Sequence, residues 1–328
     1  MWPRPTLTGI LQARLRIAPY IHWTPLEHHR SLDALLGAEV HVKHENHQRL
    51  GAFKMRGGLN LIGQLSGRDR QRGVITASTG NHGQSIAFAA GVYGVPATIV
   101  VPRQANPGKV EAIRQLGAKV VFHGHDFDDA RQHVERLSRA EGTRYIHSAN
   151  EPALIEGVGT CAWEIVSDLP DVEVIIVPVG GGSGACGACV VAKSVNPKIE
   201  VIGVQAQAAD AAYRSWKTGR LTTGQMTTVA EGLATRVGFE LTQQIMRDLM
   251  DAFILVSEDE LKEAVLLHLQ KTHNLAEHAG AAPLAAAMKI KDRLAGKKIA
   301  LILSGGNLSM EHLQSLLADG GHPFAPVA

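Results

Sequence analysis

This sequence of 328 residues has few cysteines, almost no charge imbalance and no long apolar run. Three cysteines are too few for a disulfide scaffold in a chain of this size, which favours a reducing compartment. The 33 basic and 31 acidic side chains are scattered, so the net charge of +2 offers no basic stripe for nucleic acid or a charged membrane. No stretch is apolar for the length of a bilayer span, and the N-terminus lacks the apolar core of a signal peptide. We therefore expect a cytoplasmic protein whose partners are small molecules, with no role for nucleic acid or a membrane.

Two groups of residues raise the question of a redox or metal site. Cys186 and Cys189 form a CxxC motif, but the surrounding "GACGACVVAK" is typical of a helix that packs through small residues. His123 and His125 belong to "HGHDFDD", a polar run where a turn is predicted, and we interpret it as a solvated loop. Neither group predicts a metal site.

Short β-branched runs alternate with longer amphipathic segments along the chain. Several runs are apolar almost throughout, which is typical of parallel strands covered on both faces. The segments between them, such as 106–117 and 128–142, have helical patterns. This alternation predicts an α/β fold. The predicted strands are 73–78, 97–102, 118–124, 144–149, 172–180, 199–205, 252–257 and 298–306.

The predicted strands fall into an earlier set, up to about residue 147, and a later set. We therefore expect two domains, each with a mostly parallel sheet flanked by helices. The small domain is predicted to span residues 66–147, and the large domain residues 1–65 together with 148–328. Because ligands in such folds bind beyond the carboxyl ends of strands, the active site is expected in the cleft between the domains.

A glycine-rich turn follows the predicted strand at 172–180. Backbone N–H groups without neighbouring side chains, together with the dipole of the helix that follows, can hold a phosphate. A tight turn alone rarely needs so many glycines, and the pattern matches neither a P-loop nor a dinucleotide fingerprint. The run consists of Gly180, Gly181, Gly182, Ser183 and Gly184.

Two further turns also follow predicted strands. The turn at 78–83 is either a carboxylate site or simply a well-capped helix start, and its residues leave both interpretations open. Its polar members are Ser78, Thr79, Asn81 and His82. Ser304 begins an ordinary Ser-Gly-Gly-Asn turn, whose hydroxyl could provide a neutral hydrogen bond.

Lys54 lies among small and apolar residues in "GAFKMRGG". Loss of solvation lowers the pKa of a lysine amine and makes it nucleophilic toward a carbonyl, although this lysine alone could equally lie at the surface. The combination is more informative: an aldehyde-reactive amine, a phosphate cradle, a carboxylate cradle and a neutral hydroxyl. Pyridoxal phosphate (PLP), with an amino-acid substrate, needs all four partners.

With these motifs the sequence resembles the fold-type II PLP enzymes, whose fold is like that of the tryptophan synthase β chain. Within them it resembles the threonine/serine dehydratase and serine racemase group. The matching motifs follow one another through nearly the whole chain. They are "RIAPYIHWTPL", "GAFKMRGG", "STGNHGQ", "NEPALIEGVGT", "VPVGGGSG", "GVQAQAADAA" and "LSGGN".

The resemblance implies a role for each candidate residue. Lys54 is the lysine that forms the Schiff base with PLP, and Phe53 packs against the cofactor ring. Asn81 bonds the 3-oxygen of the ring, the turn at 180–184 holds the phosphate, and Ser304 faces the pyridine nitrogen. The residues that receive the substrate carboxylate are Ser78, Thr79, Asn81 and His82.

Some positions depart from the pattern of the group. Thr79 stands where racemases have a serine that reprotonates Cα, so racemisation is not expected. Thr79 and Lys54 are nevertheless the candidate catalytic residues. Gln205 and Ala211 replace a glutamate and an aspartate that bind a cation in many relatives, so we expect no metal.

The resemblance implies a dehydratase, an ammonia-lyase that converts a β-hydroxy amino acid of the threonine/serine type into a 2-oxo acid and ammonia. Leu50, Ala52, Ser148 and Ala149 replace residues common in the group, which indicates a wider, drier pocket and a bulkier substrate such as phenylserine as an alternative. A racemase, a PLP-binding protein without turnover and a β-replacement enzyme are the remaining alternatives, although β-replacement enzymes such as cysteine synthases usually have a threonine in place of His82. The group usually forms homodimers.

Overall fold

The computed structural model describes residues 3–78 and 80–319 of the chain. Within them, ten strands form two sheets and helices cover the faces of both sheets. The strands are β1 (Leu26–His28), β2 (Glu39–His44), β3 (Val74–Ala77), β4 (Ala97–Val101), β5 (Lys119–Phe122), β6 (Arg144–Tyr145), β7 (Val174–Pro178), β8 (Glu200–Ala206), β9 (Ala252–Val256) and β10 (Lys298–Leu303).

The helices connect these strands in a βα order. The α-helices are α1 (Leu7–Ile17), α2 (Arg30–Leu36), α3 (Lys54–Gly63), α4 (Gly67–Arg72), α5 (Asn81–Tyr93), α6 (Pro107–Gln115), α7 (Phe127–Glu141), α8 (Pro152–Asp168), α9 (Ser183–Val195), α10 (Ala211–Thr218), α11 (Glu240–Leu249), α12 (Glu258–Leu267), α13 (His278–Lys289), α14 (Lys291–Leu294) and α15 (Met310–Asp319). The shorter elements are the 3₁₀ turns Glu45–His47, Gln207–Ala209 and Glu231–Leu233 and the π-helical turn His268–Thr272. In the part of the chain described, no helix has both the length and the apolar character needed to cross a membrane.

The larger sheet has six strands in the order β1-β2-β10-β7-β8-β9. Its strands are parallel except for β1, which runs antiparallel to β2 at the edge. The central strands β7 and β10 are buried almost throughout, as their apolar sequences predict. β1 and β2 were not predicted from the sequence.

The smaller sheet has four parallel strands in the order β5-β4-β3-β6. Its interior strand β3 is buried at every position. The predicted α/β fold with two mostly parallel, helix-flanked sheets is therefore confirmed. The domain boundaries near residues 65 and 147 stay a prediction, since α3 packs against both α5 and α8.

Small residues bring α8 and α9 into close contact beneath the larger sheet. A Cβ added to Gly187 would come within 2.7 Å of the Cα of Gly159. Cys186 and Cys189 are buried in α9, and burial raises the pKa of both thiols. The interpretation of the CxxC motif as part of a packed helix is thus confirmed.

Candidate active site

One pocket brings together most of the residues singled out from the sequence. It lies at the carboxyl ends of β3, β7 and β10, where the turns after these strands face the start of α3. The predicted site residues that line it are Phe53, Lys54, Ser78, Asn81, His82, Gly180, Gly181, Gly182, Ser183, Gly184 and Ser304. Thr79 lies outside the described residues.

Lys54, the first residue of α3, has its amine in this pocket. Its Nζ lies 3.3 Å from Ser183 Oγ and 5.0 Å from the centroid of the Phe53 ring. Burial lowers the pKa of Lys54 to about 8, while the carboxylate of Glu277 opposes the shift. A larger fraction of this amine is therefore neutral near pH 7 than of an exposed lysine, and the neutral form is the nucleophile.

Backbone hydrogen bonds fix the segment before Lys54 against the turn after β10. The Phe53 N–H donates to the Ser304 carbonyl oxygen at 3.0 Å, and the Gly306 N–H donates to the Gly51 carbonyl oxygen at 2.9 Å. Gly51 has a φ of 66°, which glycine adopts without strain. The lysine and the serine, far apart in the sequence, are thereby held at a fixed spacing.

The turn at 180–184 lets the backbone approach a ligand closely. Gly182 precedes α9 with a φ of 92°, and the helix begins at Ser183 and runs for 13 residues. A Cβ on Gly180 would overlap the carbonyl oxygen of Gly232. The first N–H groups and the positive end of the dipole of α9 therefore face the pocket beside Lys54, and this chemistry suits a phosphate.

The turn between β3 and α5 is both a helix cap and a group of donors. Ser78 Oγ accepts hydrogen bonds from the N–H groups of Gly80 at 3.0 Å and Gly83 at 2.8 Å. The N–H groups of Asn81 and His82, in the first helical turn, have no carbonyl within the helix to bond. Since both residues line the pocket, these two donors suit a substrate carboxylate.

His82 is neutral in this site. Burial lowers its pKa to about 3, and the charges of Lys54 and His147 add to the shift. Its Nε2 lies 3.0 Å from Thr76 Oγ1, whose own hydrogen is donated to the Ile146 carbonyl oxygen at 2.7 Å. Nε2 therefore carries the ring hydrogen and Nδ1 is an acceptor. A carboxylate bound here would contact the backbone N–H of His82 rather than its ring.

Glu277 is a pocket residue that the sequence analysis missed. It precedes α13, and its Oε1 accepts a hydrogen bond from Asn81 Nδ2 at 2.7 Å. Asn307 Nδ2 in turn donates to Asn81 Oδ1 at 2.8 Å, so the Asn81 amide is held from both sides. Burial raises the pKa of Glu277, although the charge of Lys109 opposes the shift. A single acidic residue before the alanine-rich "HAGAAPLAAA" was the available signal.

An ion pair crosses the mouth of the pocket. Lys109 Nζ, on α6, lies 2.5 Å from Glu231 Oε2, in the 3₁₀ turn that faces it. Both residues line the pocket. They belong to the smaller-sheet and larger-sheet parts of the chain, so the pair joins the two walls. No local pattern predicts it, because the partners are distant in sequence.

Gln205 and Ala211 are the residues that we expected to replace the cation ligands of the group that the sequence resembles. Gln205 is buried at the end of β8, and its Oε1 accepts the N–H of Tyr213 at 2.9 Å. Ala211 begins α10 and is also buried. The side chain of Gln205 thus helps to hold α10, and the expected absence of metal at this position stays a prediction.

Comparison with known proteins identifies the family. A family described as "Pyridoxal-phosphate dependent enzyme" matches residues 17–305. The chain belongs to this family. It is 39% identical over 316 residues to the L-threonine ammonia-lyase of Thermotoga maritima, covering 96% of this chain and 79% of that one. It is 37% identical to the serine racemase of Dictyostelium discoideum, covering 95% and 98%. The solved structure of maize serine racemase has a TM-score of 0.90 and 33% identity, covering 97% and 98%.

The predictions of a fold-type II PLP enzyme and of PLP as cofactor are confirmed by these matches. The pocket of this PLP-dependent enzyme also fits its cofactor. The amine of the partly buried Lys54 has a lowered pKa and lies 3.3 Å from Ser183 Oγ at the start of α9. The glycine turn before α9 has no room for a Cβ at Gly180. Ser304, which is 4% exposed, provides a neutral hydroxyl on the same pocket.

Proposed function

We propose that this enzyme is a dehydratase that converts a β-hydroxy amino acid of the threonine/serine type into a 2-oxo acid and ammonia. The observation that carries the proposal is a nucleophilic amine, Lys54, in a pocket with two helix N-termini. The start of α9 suits a phosphate, and the start of α5 suits a carboxylate. The names of the threonine ammonia-lyase and dehydratase relatives support the same class of reaction.

PLP, when bound, withdraws electrons from the substrate Cα and so makes its proton acidic. Lys54 Nζ would hold the cofactor at its aldehyde, and the same amine is placed to accept the Cα proton of the substrate. The N–H groups of Asn81 and His82 bind the substrate carboxylate, and those of the turn at 180–184 bind the phosphate. Ser304 would offer the ring nitrogen of the cofactor a neutral hydroxyl rather than a charged partner.

Threonine and serine are the favoured substrates over a bulkier amino acid. Of the four substitutions that indicated a wide pocket, only Ser148 lies among the described pocket-lining residues. Ala52 instead forms a β-bridge with Gly305, and the carbonyl of Leu50 accepts a hydrogen bond from Asn307. The case for phenylserine therefore depends on one side chain.

A racemase is the second candidate, because serine racemases are among the relatives. Thr79 in place of the racemase serine argues against it. The two activities differ in product, since a racemase returns the other enantiomer and a dehydratase releases a 2-oxo acid.

The test measures 2-oxo acid, ammonia and enantiomer formation from threonine, serine and phenylserine, with Lys54→Ala as the inactive control. We expect 2-oxo acid and ammonia in equal amounts, with kcat/KM higher for threonine or serine than for phenylserine. Enantiomer without 2-oxo acid would replace the proposal by the racemase. Neither product from any substrate would support a PLP-binding protein without turnover.

We also propose that the enzyme is a cytoplasmic homodimer, on the ground of the group it resembles. Light scattering on the purified holoenzyme should give twice the chain mass of 35.1 kDa. A mass of one chain at micromolar concentration would contradict the dimer.

A further inference from the structure

Three potential metal ligands converge at the outer edge of the larger sheet, outside the residues that line the active-site pocket. Glu27 belongs to β1, His29 precedes α2, and His44 ends β2. His29 Nε2 lies 3.2 Å from His44 Nε2. Glu27 Oε2 lies 3.7 Å from the first of these nitrogens and 3.6 Å from the second.

These distances match the separations between ligand atoms in a tetrahedral zinc site. With bonds of about 2.0–2.1 Å, two ligand atoms on a tetrahedral ion lie about 3.3–3.4 Å apart. The three separations lie within a few tenths of an ångström of this value. Two imidazoles with one carboxylate are also a ligand set that zinc takes and that Mg²⁺ and Ca²⁺ do not favour.

The surroundings hold the two imidazoles in place and leave one side open. His44 is fully buried, and its ring stacks on that of His47 at 5.1 Å. Glu27 is half exposed. An ion can therefore reach the three atoms from solvent, and solvent can complete its coordination.

We propose that Glu27, His29 and His44 form a binding site for a divalent ion of the zinc type. The site joins β1, the start of α2 and the end of β2, so an ion bound there cross-links the edge of the larger sheet. It is separate from the position of Gln205 and Ala211, where the cation ligands of relatives are replaced. The alternative is that the two Nε2 atoms share one hydrogen in an N–H···N bond and that the cluster binds no ion.

The experiment uses tag-free holoenzyme that has been treated with a chelator, dialysed and then titrated with Zn²⁺ alone. Equilibrium dialysis with elemental analysis should find about one ion per chain. Co²⁺ in place of Zn²⁺ should give the visible absorption of a four-coordinate ion, at longer wavelength than the cofactor band. Both signals should weaken at least about tenfold in Glu27→Gln and His44→Gln.

Two controls remove similar groups elsewhere. Glu39→Gln removes a carboxylate that lies 3.0 Å from His41 Nε2 on the opposite face of β2. His123→Ala removes a ring that stacks on His133 at 3.7 Å, far from the cluster in sequence. Both variants should retain the ion. Because His44 is buried and its variant could fail to fold, the half-exposed Glu27 provides the deciding substitution.

The outcomes are distinct. Stoichiometric binding that is lost in Glu27→Gln but kept in both controls supports the site. A wild-type enzyme that takes up no Zn²⁺ overturns it and leaves the hydrogen-bonded cluster. Binding that survives in Glu27→Gln, or that falls equally in the controls, also overturns it, because the ion then lies elsewhere.

Discussion

Arg56 provides the strongest test of how the chain holds Lys54 in place. It lies two residues after Lys54 on α3 and is fully buried. Its guanidinium donates to both oxygens of Glu45, each at 2.7 Å, and to both oxygens of Glu164 at 2.6 and 2.8 Å. Lys43 Nζ adds a second ion pair to Glu164 at 2.7 Å. Two buried cations thus balance two buried carboxylates.

Replacing Arg56 by methionine leaves two buried carboxylates with one cation. Removing one partner of a buried ion pair costs about 3–5 kcal/mol, chiefly because the remaining charge stays desolvated. We therefore expect Arg56→Met to lower the free energy of unfolding by about this amount. Arg293→Met is the matched control. Arg293 pairs with Glu200 at 2.6 Å but is 44% exposed, so the same change there should cost at most about 1 kcal/mol.

Urea unfolding of the holoenzyme measures the loss as a shift of the midpoint at constant slope. Adding Glu45→Gln to Arg56→Met restores charge balance and should recover part of the stability.

The loss in free energy of unfolding caused by Arg56→Met should also become smaller as the pH falls. The unpaired carboxylate has a raised pKa in the folded variant, so the folded state binds the extra proton and is favoured at lower pH. A double variant no more stable than Arg56→Met, with a penalty independent of pH, would refute the charge-balance argument.

Three further results follow from the site. Gly180→Ala should weaken PLP binding at least about tenfold, because the new methyl overlaps the carbonyl of Gly232. Absorbance titration measures this change. Gly67→Ala is the control, and it should not weaken PLP binding because the space around Gly67 is open. The rate at which PLP attaches to the apoenzyme should rise with pH, because only the neutral amine of Lys54 reacts. The midpoint of this rise should lie near the pKa of about 8 for Lys54. A midpoint near the pKa of an exposed lysine would contradict the loss of solvation at Lys54. Lys109→Met, which breaks the ion pair with Glu231 at 2.5 Å, should raise KM more than it lowers kcat if the pair only closes the pocket mouth.

Local patterns predicted eight of the ten described strands and the glycine turns, because these features depend on consecutive residues. β2 was not predicted, because its sequence "EVHVKH" contains a lysine and two histidines instead of an apolar run. The amine of the buried Lys43 contacts Glu164 of α8 and the Thr24 carbonyl oxygen, and no window around residue 43 contains these partners. Glu277 and the ion pair of Lys109 were missed for the same reason, as each depends on a partner far along the chain.

Two cations on α3, the fully buried Arg56 and the partly buried Lys54, show how partners decide the charge state of a group that loses water. Arg56 and Lys54 both lose water, which by itself lowers the pKa of each. For Arg56 the two hydrogen-bonded carboxylates outweigh the burial, so its pKa is raised and its charge is permanent. For Lys54 the opposing charge of Glu277 does not outweigh the burial, and its pKa falls to about 8. The charged Arg56 holds α3 against Glu45 and Glu164. The amine of Lys54 can lose its proton and react. A carboxylate placed in contact with Lys54 would stabilise the charged amine and abolish this difference.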